Sequence, residues 1–471
     1  MSNGVYCNME KTLREKLIGN RRFYKKVLMI AVPIMIQNGI TNFVGLLDNI
    51  MVGQIGTEQM TGVAIVNQLI FVYNLCIFGG VSGAGIFTAQ FFGQKDDEGV
   101  ANTFRFKIWM GVILTGLTIL LFLLFGEPLI QMYLNGSQDG GDTLAALQYG
   151  QKYLWIMLAG LPAFLFVQVY ASTLRECGKT VTPMKAGIVA VLVNLVFNYL
   201  LIYGKLGFPQ MGVAGAAVAT VLSRYVEVLI VVSWTHRNKE TNTYIKGLYR
   251  TMKIPAQLVK RILIKGMPLL LNETFWAAGM ALLLQCYSVR GMNVVAGMNI
   301  SNTISNLFNV VFIALGDSVA IVVGQLLGAG KMEEARDTDR KMIAFSVFCC
   351  TLVALVMLVI APLFPRLYNT NAQSKELAKD FIMVTAVFMP QNAFLHAAYF
   401  TLRSGGRTII TFFFDSVFIC CISVPLAYVL GHFTGLQVVY ILIMVQLADV
   451  IKCVIGFVLV KKGVWLQNIV E

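Results

Sequence analysis

Twelve runs of about 20 or more apolar residues, each long enough to cross the hydrocarbon core of a bilayer, leave this 471-residue chain little choice of fold. They cover approximately 27–52, 61–90, 104–126, 144–171, 184–204, 211–233, 263–288, 296–325, 341–361, 377–400, 408–430 and 435–460. The fold class that follows is an all-α polytopic membrane protein. Composition agrees: 13% of residues are charged, against the roughly 25–35% that a soluble surface carries, and 57% are hydrophobic. Residues 1–26 are polar and basic with no apolar stretch before Val27, which reads as a cytoplasmic tail and not a cleaved signal.

The formal charge of +13 raises the question of a nucleic-acid partner, but the cations flank the apolar runs instead of forming a stripe. Of the 37 Lys and Arg residues, 29 fall on one side, which places both termini in the cytoplasm of a multi-pass plasma-membrane protein. Nucleic acid is therefore not an expected partner; the bilayer is. The nine cysteines are odd in number, mostly intramembrane and without a C-x-x-C, so neither a disulfide framework nor a zinc site follows. An Asn135-Gly136-Ser137 acceptor sits in an outer loop and matters only in a glycosylating host.

The chain contains a second copy of itself. At an offset of 235, Pro33 meets Pro268, Gly56 meets Gly291, Asn67 meets Asn302, Asn74 meets Asn309, Gln90 meets Gln325 and Gly93 meets Gly328. Beyond the third span the offset becomes 228, pairing Pro162 with Pro390 and Thr173-Leu174-Arg175 with Thr401-Leu402-Arg403. Six spans per copy is an even number, so both halves enter the bilayer the same way round and their interface is the expected substrate path. The domains expected are a tail (1–26), a first lobe (27–233), a cytoplasmic linker (234–262), a second lobe (263–460) and a C-terminal tail (461–471).

Enzymatic chemistry is missing from the pattern. Cys177-Gly178-Lys179-Thr180 resembles the end of a phosphate loop, but Thr173 stands where that loop needs Gly. Ala314-Leu315-Gly316-Asp317 lacks the Gly-x-Gly-Asp of an intramembrane aspartyl protease, and His236, His396 and His432 are scattered. No cofactor and no enzyme are expected. A channel or a membrane enzyme stays as the alternative of a different class.

Charges inside spans cost roughly 2.5–3.5 kcal/mol each on insertion scales, so each calls for a reason. Arg224 with Glu227, and Asp449 with Lys452, are three apart on spans six and twelve and can neutralise themselves. Asp48, Glu273, Asp317 and Asp415 have no such local cation and should attract positive charge. Asn194 and Asn198 share a face of span five, and Ala216 and Thr220 a face of span six. Converging with Asp48, they make an all-oxygen shell suited to a hard cation such as Na⁺, with the Ala216 carbonyl as a further ligand. The same set can instead hold a proton on Asp48, or simply bridge packed helices. Asn302, Asn306 and Asn309 form a polar stripe on span eight, expected to face a central cavity. The 22 methionines and 11% aromatics suit a deformable pocket for varied apolar ligands.

Taken together, the six-plus-six spans, the repeated Thr-Leu-Arg ending at Arg175 and Arg403, Gln-x-x-Gly at Gln90 and Gln325, and the run Gly212 to Thr220 opening span six resemble the multidrug and toxic compound extrusion (MATE) family over roughly residues 20–465. The resemblance implies a twelve-helix, two-lobed antiporter that exports lipophilic, often cationic compounds in exchange for Na⁺ or H⁺; a monomer is the expected state of the chain. It also implies a first-lobe ion site at Asp48, Asn194, Asn198, Thr220 and the Ala216 carbonyl. Asn198 stands where one branch has an acid, which favours Na⁺. In the Na⁺-coupled NorM branch a second site uses acids on helices seven and ten; here Asn392 replaces the latter and Glu273 is about one turn displaced. Glu273, Asp317 and Asp415 are then expected to bind cationic substrate or a proton, with Asn302, Asn306, Asn309 and Asn392 lining the same path. Rivals are a lipid-linked saccharide flippase of the same superfamily, expected to need several cavity arginines, and a major-facilitator transporter, whose 2–3 loop motif Gly93-Gln94-Lys95-Asp96-Asp97-Glu98-Gly99 does not match.

Overall fold

The computed structural model describes residues 17–134, 142–368 and 370–471, which are helical with no strand among them. The tail residues 1–16 and the Asn135-Gly136-Ser137 acceptor lie outside the described residues. Twelve helices follow the twelve apolar runs: α1 Arg21–Gly53, α2 Thr57–Gln94, α3 Asp97–Leu134, α4 as two halves Thr143–Leu158 and Leu161–Glu176, α5 Val181–Tyr203, α6 Val213–Arg237, α7 Ala256–Ser288, α8 Met292–Gly328, α9 Met332–Ile360, α10 Ala372–Ser404, α11 Thr408–Phe433 and α12 Val438–Lys462. Several overshoot their runs, because a helix continues past the hydrocarbon wherever water can solvate its polar end. α3 starts on Asp97 and Glu98, and α9 carries Glu333 and Glu334 in its first turn, acids placed to favour a helix N-terminus.

Repeat-equivalent prolines act differently in the two halves. Pro390 lies inside the continuous α10, whereas Pro162 opens the second half of α4, which is bent by 48° from the first. Sequence explains the contrast: Gly160 stands before the Leu161-Pro162 step, and Phe388 occupies the equivalent place. Gly disfavours a helix interior by about 1 kcal/mol relative to Ala, and proline beside it removes a backbone donor, so the two together break what proline alone does not.

Between lobes, contact rests on small residues, as expected where lipid removes the hydrophobic drive to associate. Gly79 and Gly83 of α2 meet α7: a Cβ added to Gly83 would lie 2.6 Å from the Gly266 Cα, and one on Gly79 would lie 3.0 Å from the Leu270 Cα. Val27, Ile30, Ala31 and Ile34 at the start of α1 are buried in the second lobe's core with Ala314, Val322 and Trp465, so the first helix belongs to both lobes.

The two Gln-x-x-Gly motifs form a reciprocal clasp on the Lys/Arg-rich face. A Cβ on Gly93 would overlap the Gln325 carbonyl, and one on Gly328 would overlap that of Gln90. Gln325 Nε2 donates to the Glu176 carbonyl at the end of α4 (2.8 Å), and Gln90 Nε2 donates to the Ser404 carbonyl at the end of α10 (2.9 Å). Each lobe thereby caps the fourth helix of the other.

Neither connecting segment behaves as a free tether. The inter-lobe linker folds onto the first lobe through buried Tyr244, Ile245 and Leu248, with Arg105 Nε donating to the Leu248 carbonyl (3.0 Å). The C-terminal residues after α12 form a strap across the clasp. Trp465 is fully buried, Ile469 N donates to Gln90 Oε1 (2.8 Å), Arg407 Nε donates to the Val464 carbonyl (2.9 Å), and Arg261 donates to the Ile469 carbonyl. Emptying a site of this size costs about 3–5 kcal/mol, so Trp465→Ala is expected to lower the melting temperature of the purified protein and expose the strap to carboxypeptidase. An unchanged melting curve and full protection would rule the strap out as a structural element.

Candidate functional site

Asp48 stands five residues before the end of α1, about 8 Å along the helix axis from its terminus, in the half of the first lobe away from the clasp. Asn198 Nδ2 donates to Asp48 Oδ1 at 2.6 Å. Asn194, one turn earlier on α5, stands beside both: in one amide orientation its oxygen accepts from Asn198 Nδ2 (3.1 Å) and its nitrogen donates to Thr220 Oγ1 (3.2 Å). In the other, its nitrogen lies 2.9 and 3.1 Å from the two Asp48 oxygens and its oxygen accepts from Thr220. Either orientation keeps the four side chains in one network, so the structure brings together the set that sequence spacing left open.

This network borders a cavity of about 320 Å³, also lined by Ala216, Asn67, Asn74, Tyr153, Phe164 and Arg224. Asp48 is the single carboxylate among the lining residues described. Arg224 does not neutralise it by contact, because its guanidinium pairs with Glu227 on its own helix at 3.0 Å and lies over the Phe164 ring. The Asn198 Oδ1 is buried and has no hydrogen-bond partner. A buried acceptor left open costs about 1–3 kcal/mol, so this oxygen marks a place where a cation or donor is wanted. Asn67, Asn74 and Tyr153 were missed as site residues, although the first two already stood out as repeat partners of Asn302 and Asn309; Tyr153 Oη donates to Asn67 Oδ1 (3.3 Å).

The second lobe is built differently, and here the expectation of four acids free of cations needs correction. Lys452 Nζ lies 3.4 Å from Asp415 Oδ1 on α11 and 3.9 Å from Asp449 Oδ1 on its own helix. The i,i+3 pair suggested by spacing is thus the looser of the two. Asn272 Nδ2 donates to the other Asp415 oxygen (3.2 Å), and Ser416 Oγ donates to Asn272 Oδ1 (2.8 Å). Glu273 and Asp317 make no ion pair among the described residues, but other charges act on them: Arg403 on both, Arg175 on Asp317, and the carboxylates of Asp317 and Asp415 on Glu273. Asn392 is half-buried on α10 and makes no hydrogen bond to the Asp415 cluster. On α8, Asn302 and Asn306 are exposed and Asn309 is half-buried; α8 meets α1 at this level, where Asn42 Nδ2 donates to the Asn306 carbonyl (3.4 Å).

Comparison with known proteins was then informative at three levels. The MatE family profile matches twice, at residues 33–200 and 268–429, one match per lobe and in step with the offsets of the internal repeat. The probable multidrug resistance protein NorM of Thermotoga maritima is 26% identical over 410 residues, covering 86% of this chain and 85% of that protein. Among solved structures, a proline-to-alanine variant of a MATE transporter superposes with a TM-score of 0.84 at 20% identity, covering 97% of this chain and 99% of that one. A multidrug resistance MATE family transporter of the MOP superfamily in an outward-facing conformation gives 0.82 at 21% identity over the same shares. The Vibrio cholerae MATE transporter VcmN gives 0.84 at 16% identity, covering 95% and 98%. These structural likenesses establish the twelve-helix, two-lobed fold, and the double match of the profile establishes that the chain belongs to the MatE family, the MATE membrane transporters.

Proposed function

We propose that this protein is a secondary active antiporter of the plasma membrane that exports lipophilic, often cationic compounds in exchange for Na⁺ or H⁺ bound at Asp48. The observation that carries the reading is the Asp48 cavity: one carboxylate, two amides and a hydroxyl converge there, and Asn198 Oδ1 is buried without a partner. A single carboxylate with neutral oxygen donors beside it, the lining Arg224 being paired with Glu227, suits a monovalent hard cation. With an ion present the amides can turn their oxygens inward; without it, their nitrogens satisfy the carboxylate, so loading and release need only small side-chain motions. The name of the Thermotoga maritima relative supports multidrug compounds as the cargo. Glu273, Asp317, Asn302, Asn306, Asn309 and Asn392 are proposed to line the substrate path between the lobes, both termini are assigned to the cytoplasm, and one chain is taken as the working unit.

One Na⁺ entering for one monovalent cationic drug leaving is electroneutral, so each tenfold ion gradient supplies about 1.4 kcal/mol, enough for tenfold drug exclusion. The test is ethidium transport in proteoliposomes holding the purified protein, with a Na⁺ or an H⁺ gradient imposed. A drug gradient that tracks one of the two ion gradients is expected; none under either ion would overturn the antiporter reading.

A further inference from the structure

We propose that Lys452 is a built-in counter-cation of the second lobe, its ammonium standing where that lobe would otherwise take a coupling ion, so that only the Asp48 site couples export. This rests on the antiporter reading and adds the number of ions per cycle and the residue that sets it.

Repeat symmetry makes the case. Arg224 and Lys452 are equivalent at the offset of 228. Arg224 has an acid of its own one turn on, Glu227, and bonds it. The position equivalent to Glu227 is Ile455, so Lys452 lies between Asp449, one turn back on its own helix at 3.9 Å, and Asp415, which it reaches across to meet at 3.4 Å. Asp415 itself sits in a widened π-helical turn, Phe413–Val417 of α11, with a second, Ile419–Ser423, after it, and such turns are rare and re-aim side chains out of the regular helical register.

The ammonium is well housed. Its side chain is 8% exposed, and it lies 5.7 and 5.5 Å from the ring centroids of Phe414 and Phe418, positions that add cation–π attraction. Asp415 is fully engaged, by Lys452 on one oxygen and Asn272 on the other. In the first lobe Asp48, which is not the repeat equivalent of Asp415, is held by the Asn198 amide and borders an open cavity whose one lining cation, Arg224, is bonded to Glu227. The positions equivalent to Asp48, Asn194 and Asn198 are Leu283, Ile422 and Leu426, so nothing in the second lobe repeats the first site. One lobe therefore carries a carboxylate held by an amide, and the other a pair of carboxylates bridged by an ammonium of its own chain.

The experiment is the static-head drug ratio in proteoliposomes under a tenfold gradient of Na⁺ or, separately, H⁺, with the membrane potential clamped at zero by valinomycin and potassium. The ratio equals the ion ratio raised to the number of coupled ions. Wild type should reach about tenfold and Lys452→Met about 100-fold, because the freed Asp415 and Asp449 recruit a second ion. Lys452→Met together with Asp415→Asn and Asp449→Asn should return to about tenfold. A Lys452→Met ratio that stays at tenfold in correctly folded protein overturns the proposal. Should Lys452→Met not fold, Asp48→Asn decides: with Lys452 in place it should show no residual ion-driven gradient and bind no radioactive sodium, and a residual site overturns the proposal. Wild type failing to build any gradient would instead defeat the antiporter reading, and this inference with it.

Discussion

Asp48→Asn is expected to abolish ethidium efflux while protein level and membrane insertion remain normal. The substitution keeps the shape of the side chain and its place beside Asn194 and Asn198, and it removes the single negative charge of the cavity. Removing one partner of a buried charge pair costs about 2–5 kcal/mol, which corresponds to a cation affinity lower by roughly 30-fold to several thousand-fold. Stability should not fall with it. In ion-free detergent the wild-type carboxylate is desolvated and compensated by amide donors and, without contact, by Arg224, which is itself paired with Glu227, so the neutral amide is expected to be tolerated. The two proteins should diverge when the coupling ion is added. Wild type gains about 2.7 kcal/mol at an ion concentration 100 times the dissociation constant, and Asp48→Asn gains nothing. Melting curves against Na⁺ concentration and against pH read this directly, and they also identify the ion. Retained efflux in Asp48→Asn would sink the first-lobe coupling site.

What could be seen in the sequence follows the range of the interactions concerned. The spans were visible because each is a local run whose length is set by the bilayer, and the two lobes because the repeat keeps its offsets over whole helices. The first-lobe site was half visible: Asn194 with Asn198 and Ala216 with Thr220 are one turn apart and must share faces, but their meeting with Asp48, about 150 residues away, depends on how α1 packs against α5. Asp415 shows the limit. A helical neighbour three residues off was the obvious partner for Lys452, yet the closer one lies 37 residues away on α11, and an irregular π-helical stretch has no local sequence signal that spacing rules could use. The packing of the linker and of the C-terminal strap leaves no trace in a sequence pattern, because their apolar content is only a few side chains, Leu248 and Trp465 among them, whose burial is decided by the surface they land on. Likewise the Gln-x-x-Gly motifs were noticed as repeats, but not as parts that touch one another.

That contact yields the second large effect. Gly93→Ala combined with Gly328→Ala is expected to open the clasp on the Lys/Arg-rich face and to reduce efflux severely. Each added methyl would meet a backbone carbonyl of the opposite lobe, Gln325 for one and Gln90 for the other, and no side-chain rotation can relieve a clash with backbone. Overpacking of this kind costs about 1–3 kcal/mol per site. Two sites then shift the balance between closed and open forms of this face by roughly 30-fold to tens of thousands-fold. The cost falls on the closed form, because the nearest atoms to each methyl all belong to the opposite lobe; this is what converts a packing defect into a population shift. Spin labels at Lys95 and Lys331, both exposed at the ends of the clasped helices, should report a longer distance in the double variant than in the parent. The lobes themselves should stay folded, since neither glycine is replaced within a lobe's own core. An unchanged distance distribution would mean that the two motifs are fillers of the interface and not the surfaces that hold this face shut.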